Sequence, residues 1–203
     1  MANIEKTAQN LQKHGFEAAI FKTALDAKAA ALELIDGGSV GFGGSVTIRD
    51  LGIFDELKVR GNPVYWHWMA AKEDVSATLE DARKADFYLC SANAVTESGA
   101  IINIDGNGNR VAATISGPRT ILMIVGQNKI AEGYDQAIAR IKSQACGPNA
   151  RRLGLKTPCA IDNVCRDCDS ESRLCRAILS LERLPMGGQK RMLVYLVQED
   201  LGY

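Results

Sequence analysis

Between Asp86 and Gly126 the chain reads DFYLCSANAVTESGAIINIDGNGNRVAATISGPRTILMIVG, and the order of apolar runs and polar turns in this stretch decides the fold. DFYLCS is a short apolar run of the kind found in strands buried on both faces. It stops at Asn93–Gly99, a cluster too polar to continue inside a sheet. AIINI and RVAATI are β-branched and apolar, and the DGNGN between them carries two Asx-Gly pairs that favour positive φ. The segment therefore predicts a β-hairpin. TILMIVG has no polar face and reads as another buried strand. Asn93, Thr96, Glu97 and Gly99 thus follow the end of a buried strand, the edge of an open α/β sheet at which ligands bind.

Outward from this stretch, helical and extended patterns alternate. Ile4–Gly15 has helical spacing, EAAIFK reads as a strand, and Thr23 begins a helix running to Ile35 as a candidate N-cap. GSVGF is the next strand, IRDLGIFDELKVRG a helix, VYWHWM a strand, and Lys72–Lys84 a helix. Beyond TILMIVG, IAEGYDQAIARIKSQA reads as a helix broken by CGPNARR. A cysteine-rich loop with a short helix then runs to Leu181, and RMLVYLVQEDLGY closes the chain as a strand returning to the main sheet. The alternation predicts an α/β protein with a Rossmann-like, mostly parallel sheet, flanking helices and the added hairpin. Without a linker, repeat or low-complexity tract, the 203 residues read as one domain, with a cysteine-rich segment at 146–175.

The totals narrow the function classes. A formal net charge of zero argues against nucleic acid or an anionic membrane as partner. No apolar run is long enough to span a bilayer and the first residues are unlike a secretory signal, so a cytoplasmic protein is expected. Five of the six cysteines lie between Cys146 and Cys175, a crowding that in a reducing compartment points to metal or redox chemistry.

Gly43, Gly44, Ser45 and Thr47 form a glycine-rich turn between a strand and a helix, able to place N–H and hydroxyl donors against phosphate or carboxylate, or simply to make a tight capped turn. Glu97, flanked by Thr96 and Ser98 and followed by Gly99, is the candidate catalytic carboxylate, as nucleophile or general base; the alternative is a turn cap. Asn93, Asn107, Arg110 and Lys129 are candidate ligand-binding groups beside it. Arg110 suits an anion or Glu97 as partner. Cys165 and Cys168 form a CxxC pair that, with Cys159 and Cys175, supplies four thiolates for zinc or an iron–sulfur cluster, a redox-labile dithiol being the alternative. Cys146 is an extra ligand or a free thiol. No nicotinamide or flavin fingerprint is present. His67 between two tryptophans reads as structural, and with two histidines in all a histidine-based site has little support.

Taken together and in order, GFGGSVTIRDLGI, ADFYLCSANAVTESGAIINIDGNGNRVAA, GPRTILMIVGQNKI, PNARRL and TPCAIDNVCRDCDSESRLC resemble the lactate-utilisation (LUD) domain family over nearly the whole chain. That resemblance implies a fold shared with ribose-5-phosphate isomerase, glucosamine-6-phosphate deaminase and the CoA transferases, and an anion site at Gly43, Gly44, Ser45 and Thr47. In CoA transferases a glutamate followed by Asn-Gly attacks an acyl-CoA; Glu97-Ser98-Gly99 is similar, with serine in place of the asparagine. The family name implies a role in organic-acid, specifically lactate, metabolism, with a small anionic metabolite as ligand and an iron–sulfur subunit as partner. Relatives in the wider group imply a homo-oligomer. The rival expectations are an electron-transfer or redox protein working through the cysteines, and a metabolite-binding accessory subunit without turnover.

Overall fold

The computed structural model describes residues 3–186 and 190–203. Among the described residues there are ten strands: β1 (Glu17–Phe21), β2 (Val40–Phe42), β3 (Val64–Tyr65), β4 (Phe87–Cys90), β5 (Ala94–Thr96), β6 (Ile101–Asp105), β7 (Thr120–Gly126), β8 (Ile130–Ala131), β9 (Ala177–Leu181) and β10 (Arg191–Val197). The α-helices are α1 (Ile4–Lys13), α2 (Ala24–Leu34), α3 (Val46–Asp50), α4 (Ile53–Val59), α5 (Val75–Lys84), α6 (Asn109–Ser116), α7 (Tyr134–Arg140), α8 (Cys146–Arg152) and α9 (Pro158–Asp162).

Six strands form a sheet in the order β1-β10-β7-β4-β2-β3, every pair of them parallel. The continuous apolar run of β7 occupies an inner position, buried from Ile121 to Gly126, as its lack of a polar face requires. One face of this sheet packs Phe42, Leu89, Leu122 and Ile124 against Ala27, Ala31, Ile48, Ile53 and Leu57 of α2, α3 and α4. The other face packs Tyr88, Ile121, Met123 and Val194 against Leu11 of α1, Ala82 of α5 and Ala113 of α6. Close packing is built into β2: a Cβ on Gly41 would lie 2.2 Å from the Ala82 carbonyl oxygen. The expected Rossmann-like α/β fold is therefore present.

A second sheet, β8-β5-β6-β9, is mixed: β5 and β9 flank β6 antiparallel, and β8 joins β5 in parallel. Side chains on β6 alternate as a strand must: Ile101 joins the core shared with the main sheet, and Ile102 and Ile104 face Ala137, Ile141 and Ala145. A π-helical turn at Ile141–Ala145 links α7 to α8.

Several local expectations fail. The antiparallel pair is β5–β6, closed by Glu97–Gly99, and Asn109–Ser116 is α6 rather than the second strand of a hairpin at DGNGN. The cause is Asp105, whose carboxylate accepts the backbone N–H of Val111 (3.0 Å), satisfying one donor of the helix start from the preceding strand, and pairs with the Arg110 guanidinium (2.8 Å). In the helix the buried face is instead Arg110, Ala113 and Thr114, at the i, i+3, i+4 spacing of one helical side. CGPNARR does not break the preceding helix but carries it on through the π-helical turn as α8, with Pro148 in its first turn. IRDLGIFDELKVRG is two helices, separated at Gly52 by a positive φ of 65°. VYWHWM forms only the two-residue strand β3 before turning, and β9 arises where only loop was expected. No helix among the described residues is long and apolar enough to cross a membrane.

Candidate anion-binding cavity

β2 connects onward to β3 on one side, whereas β4 leads toward β7 on the other, so the chain reverses its direction of travel across the sheet between two adjacent parallel strands. The loops leaving their C-terminal ends splay apart, and the crevice between them is the ligand position of open α/β sheets. A cavity of about 470 Å³ opens there. Gly44, Ser45 and Thr47 after β2, Ser91 and Asn93 after β4, and Lys129 after β7 line its floor. Asp105, Asn107 and Arg110 form one wall, and Cys146, Asn149 and Arg152 of α8 another.

Lys129 is 3% exposed, and its Nζ donates to Thr47 Oγ1 (2.8 Å) and Ser91 Oγ (3.1 Å). Burial, reinforced by the positive charges of Arg140 and Arg110, pulls its pKa down to about 7. Arg110 is buried too: its Nη2 donates to Asp105 Oδ1 (2.8 Å), Asn93 Oδ1 (2.8 Å) and the Ile104 carbonyl (3.0 Å), while Nε has no partner among the described residues. Asp105 is thereby committed to the wall, a buried pair of the sort that is costly to break from one side.

The opposite wall rests on an aromatic stack running from the core to the cavity. Phe42 and Trp66 stack at 5.3 Å, Trp66 and Trp68 at 5.3 Å, and the Arg152 guanidinium lies 4.2 Å from the centre of the Trp68 ring. Arg152 also donates to Asn149 Oδ1 (2.8 Å) and to the Tyr203 hydroxyl (3.2 Å), which fixes its head without neutralising it. Trp68 is the reason for a glycine at position 44, since a Cβ there would sit 3.1 Å from its ring. Burial and repulsion from Arg152 lower the pKa of His67 from its ordinary value, and its Nδ1 has no hydrogen-bond partner among the described residues. Of the described residues lining the cavity three are basic, Arg110, Lys129 and Arg152, and one is acidic, Asp105.

The structure brings together Gly44, Ser45, Thr47, Asn93, Asn107, Arg110 and Lys129 of the expected site. It does not bring Glu97 to them. The Glu97 carboxylate accepts the Asn3 N–H (2.9 Å) and binds Lys6 Nζ (2.8 Å), contacts with the start of α1 that hold its pKa below the usual carboxylate value. The reason is β5: the chain re-enters a sheet at Ala94, so the Glu97 turn is carried to the far end of the second sheet, against α1. Thr96 serves that turn, bonding Ser98 Oγ (2.8 Å) and the Ala100 N–H (2.9 Å). Gly99 has φ +90°, and a Cβ there would meet the Asn10 carbonyl carbon at 2.7 Å. Gly43 does not line the cavity either; a Cβ there would lie 2.9 Å from Cys90 Cβ.

The thiols are free and, but for buried Cys90, partly exposed. Cys159, Cys165, Cys168 and Cys175 are not gathered into a ligand set: among the described residues no three His, Cys, Asp or Glu side chains form a group able to hold a metal ion. Instead, Cys146 has Cys175, Cys159 and Cys165 as electrostatic neighbours, and burial with their repulsion pushes its thiol up to about 12. Arg173 ties the Cys168 carbonyl (2.7 Å) to the Cys175 carbonyl (3.0 Å). Cys146 and Cys175 both line the cavity.

Ser91, Trp68, Asn149, Arg152 and Tyr203 also belong to this site and were not anticipated. Asn149 and Arg152 lie within the PNARRL segment, and Trp68 adjoins His67 in the chain.

An α/β protein with a parallel sheet and a cation-lined cavity at its switch point is the class that fold and site define. The sequence profile of the LUD domain matches residues 4–197, and the chain belongs to the LUD-domain family. Its structure is similar to the crystal structure of a DUF162 family protein from Deinococcus radiodurans, with a TM-score of 0.54, 14% sequence identity, and coverage of 96% of this chain and 95% of that one. At that identity the likeness concerns the fold. Curated proteins gave no sequence match.

Proposed function

We propose that the cavity binds a small organic anion, of the carboxylate class handled in lactate metabolism. The observation that carries this reading is the charge of the walls: the fixed cations Arg110 and Arg152, with the basic Lys129 bonded to hydroxyls alone, face one carboxylate, and that carboxylate is already paired with Arg110. Arg110 is among the lining residues, so its guanidinium charge faces a bound anion from one wall. Arg152 on its tryptophan platform supplies a weakly hydrated, fixed cation near the mouth. Glu97 has no part in this reading, because its carboxylate is consumed by α1.

A panel of short carboxylates in a thermal-shift assay tests the reading, since a ligand that binds only the folded chain raises the melting temperature. Lactate, pyruvate or a close homologue raises it in the parent protein and raises it less in Arg152→Ala. Equal shifts in the two proteins would remove Arg152 from the site.

A second reading, a thiolate metal or iron–sulfur centre drawn from Cys159, Cys165, Cys168 and Cys175, is favoured by one observation. Cys175, with Cys146, lines the same cavity, so a centre there would border the bound anion. All-thiolate donors suit zinc or an iron–sulfur cluster. Binding would require the loop to close on the ion. Iron, zinc and acid-labile sulfide analysis of protein purified without oxygen is the test; metal-free protein with six titratable thiols removes this reading.

A further inference from the structure

The hydrogen-bond arithmetic around Lys129 leaves one valence of its nitrogen unassigned. Thr47 Oγ1 donates its own hydrogen to the Leu201 carbonyl (3.3 Å), and Ser91 Oγ donates to the Ala92 carbonyl (3.3 Å). Both hydroxyls must therefore accept from Nζ. A neutral amine has two N–H bonds and one lone pair. With both N–H bonds used, the lone pair is what remains at a cavity wall that Thr47, Ser91 and Lys129 line together. Gly202 packs against this group without a side chain: a Cβ there would lie 2.7 Å from Thr47 Oγ1 and 3.5 Å from Nζ. Among the described residues no carboxylate is bonded to Nζ, whose partners are the two hydroxyls. Such a lysine, desolvated and beside other cations, has the setting of an amine nucleophile rather than of an ion-pair partner.

We propose that Lys129 is a covalent carbonyl-binding residue and that its partner class is the small 2-oxo acids. This inference rests on the anion-binding reading of the cavity. The Nζ lone pair adds to the carbonyl carbon, and a proton passes from nitrogen to the former carbonyl oxygen. A second proton passes from nitrogen to that oxygen, which leaves as water as the C=N bond forms, so one water is released per imine and no oxidant or reductant is consumed. Thr47 and Ser91 hold the nitrogen and stand within reach to relay the proton. The carboxylate next to the carbonyl falls to the cationic walls, with the Arg110 and Arg152 guanidinium groups as its candidate partners. The depressed basicity of Lys129, with a pKa of about 7, supports the proposal by keeping a large fraction of the residue as free amine at neutral pH. Simple 2-hydroxy acids fit the same walls but cannot form the bond.

The test is reductive trapping. Protein is incubated with pyruvate, with lactate or with buffer, treated with borohydride, and mapped by peptide mass spectrometry, while calorimetry on untreated samples records binding. The expected result is a stable carboxyethyl adduct on Lys129 with pyruvate, none with lactate, and none in Lys129→Met. Gly202→Ala, which crowds the hydroxyl holding the amine, is expected to reduce trapping at least tenfold while the protein still melts cooperatively. If pyruvate binds by calorimetry and Lys129 stays unmodified, the covalent inference is overturned and the anion reading stands. If neither pyruvate nor lactate binds, the anion reading falls, and the inference with it. Equal labelling of exposed lysines and Lys129 would also overturn it, because no special reactivity would remain to explain.

Discussion

Replacing Lys129 by methionine is expected to stabilise the fold at neutral pH, and by an amount that depends on pH. The ammonium form of Lys129 costs folding free energy because the folded pKa lies near 7 against an ordinary value of 10.5. At about 1.4 kcal/mol per pKa unit the penalty is roughly 4–5 kcal/mol at and below neutrality. The sign follows from proton counting. Between pH 7 and 10.5 the unfolded chain holds a proton that the folded chain has lost, so the stability of the parent protein rises with pH across that window and levels off above it. Methionine removes the titration and fills a similar volume. It also leaves two buried hydroxyls without a donor, a loss of about 1 kcal/mol each. The net gain is then roughly 2–3 kcal/mol near neutrality, vanishing or reversing at high pH. Urea unfolding of both proteins at about pH 6 and about pH 10 reads this directly, as a difference in midpoint that is large at low pH and small at high pH. A variant that is less stable by the same amount at both pH values would refute the reasoning, because Lys129 would then be paired or solvated in the folded state.

Asp105→Ala is expected to destabilise by about 3–5 kcal/mol, since it strands the buried Arg110 and uncaps α6; a loss below 1 kcal/mol in urea unfolding would contradict the buried-pair account. Arg152→Ala is expected to weaken carboxylate binding about tenfold, or about 1.4 kcal/mol, with little change in stability, as calorimetry and melting will show. Glu97→Gln is expected to leave ligand affinity unchanged while loosening the start of α1, visible as faster amide exchange at Lys6 and Thr7. Gly41→Ala is expected to impair folding, because its Cβ would strike the α5 backbone; a soluble variant with unchanged melting would show that β2 and α5 can separate.

The architecture was legible where hydrophobic pattern alone decides it. TILMIVG and RMLVYLV have no polar face and lie side by side at inner sheet positions. Thr23 caps its helix as its hydroxyl predicts, accepting the Asp26 N–H at 3.1 Å. The segment after Asp105 was misread because β-branched content is a weaker signal than a capping carboxylate, and Asp105 acts through a partner, Arg110, five residues on. Position along the chain also misled over Glu97. Following β4 in sequence does not keep a residue at the edge of β4 when a further strand intervenes. Lys129, an unremarkable lysine in sequence, owes its character to Thr47 and Ser91, which are distant in the chain and adjacent only through the parallel register of the sheet. Arg152 and Trp68 meet because α8 continues a helix that Gly147-Pro148 seemed to end, so the sequence held no local sign of their contact.

Isothermal titration of lactate and pyruvate into the parent protein, Arg152→Ala and Glu97→Gln tests the central claim most directly. The account predicts one site per chain in the parent, affinity about tenfold weaker in Arg152→Ala, and no change in Glu97→Gln. Loss of binding in Glu97→Gln with Arg152→Ala unaffected would place the ligand at the α1 turn and contradict the account.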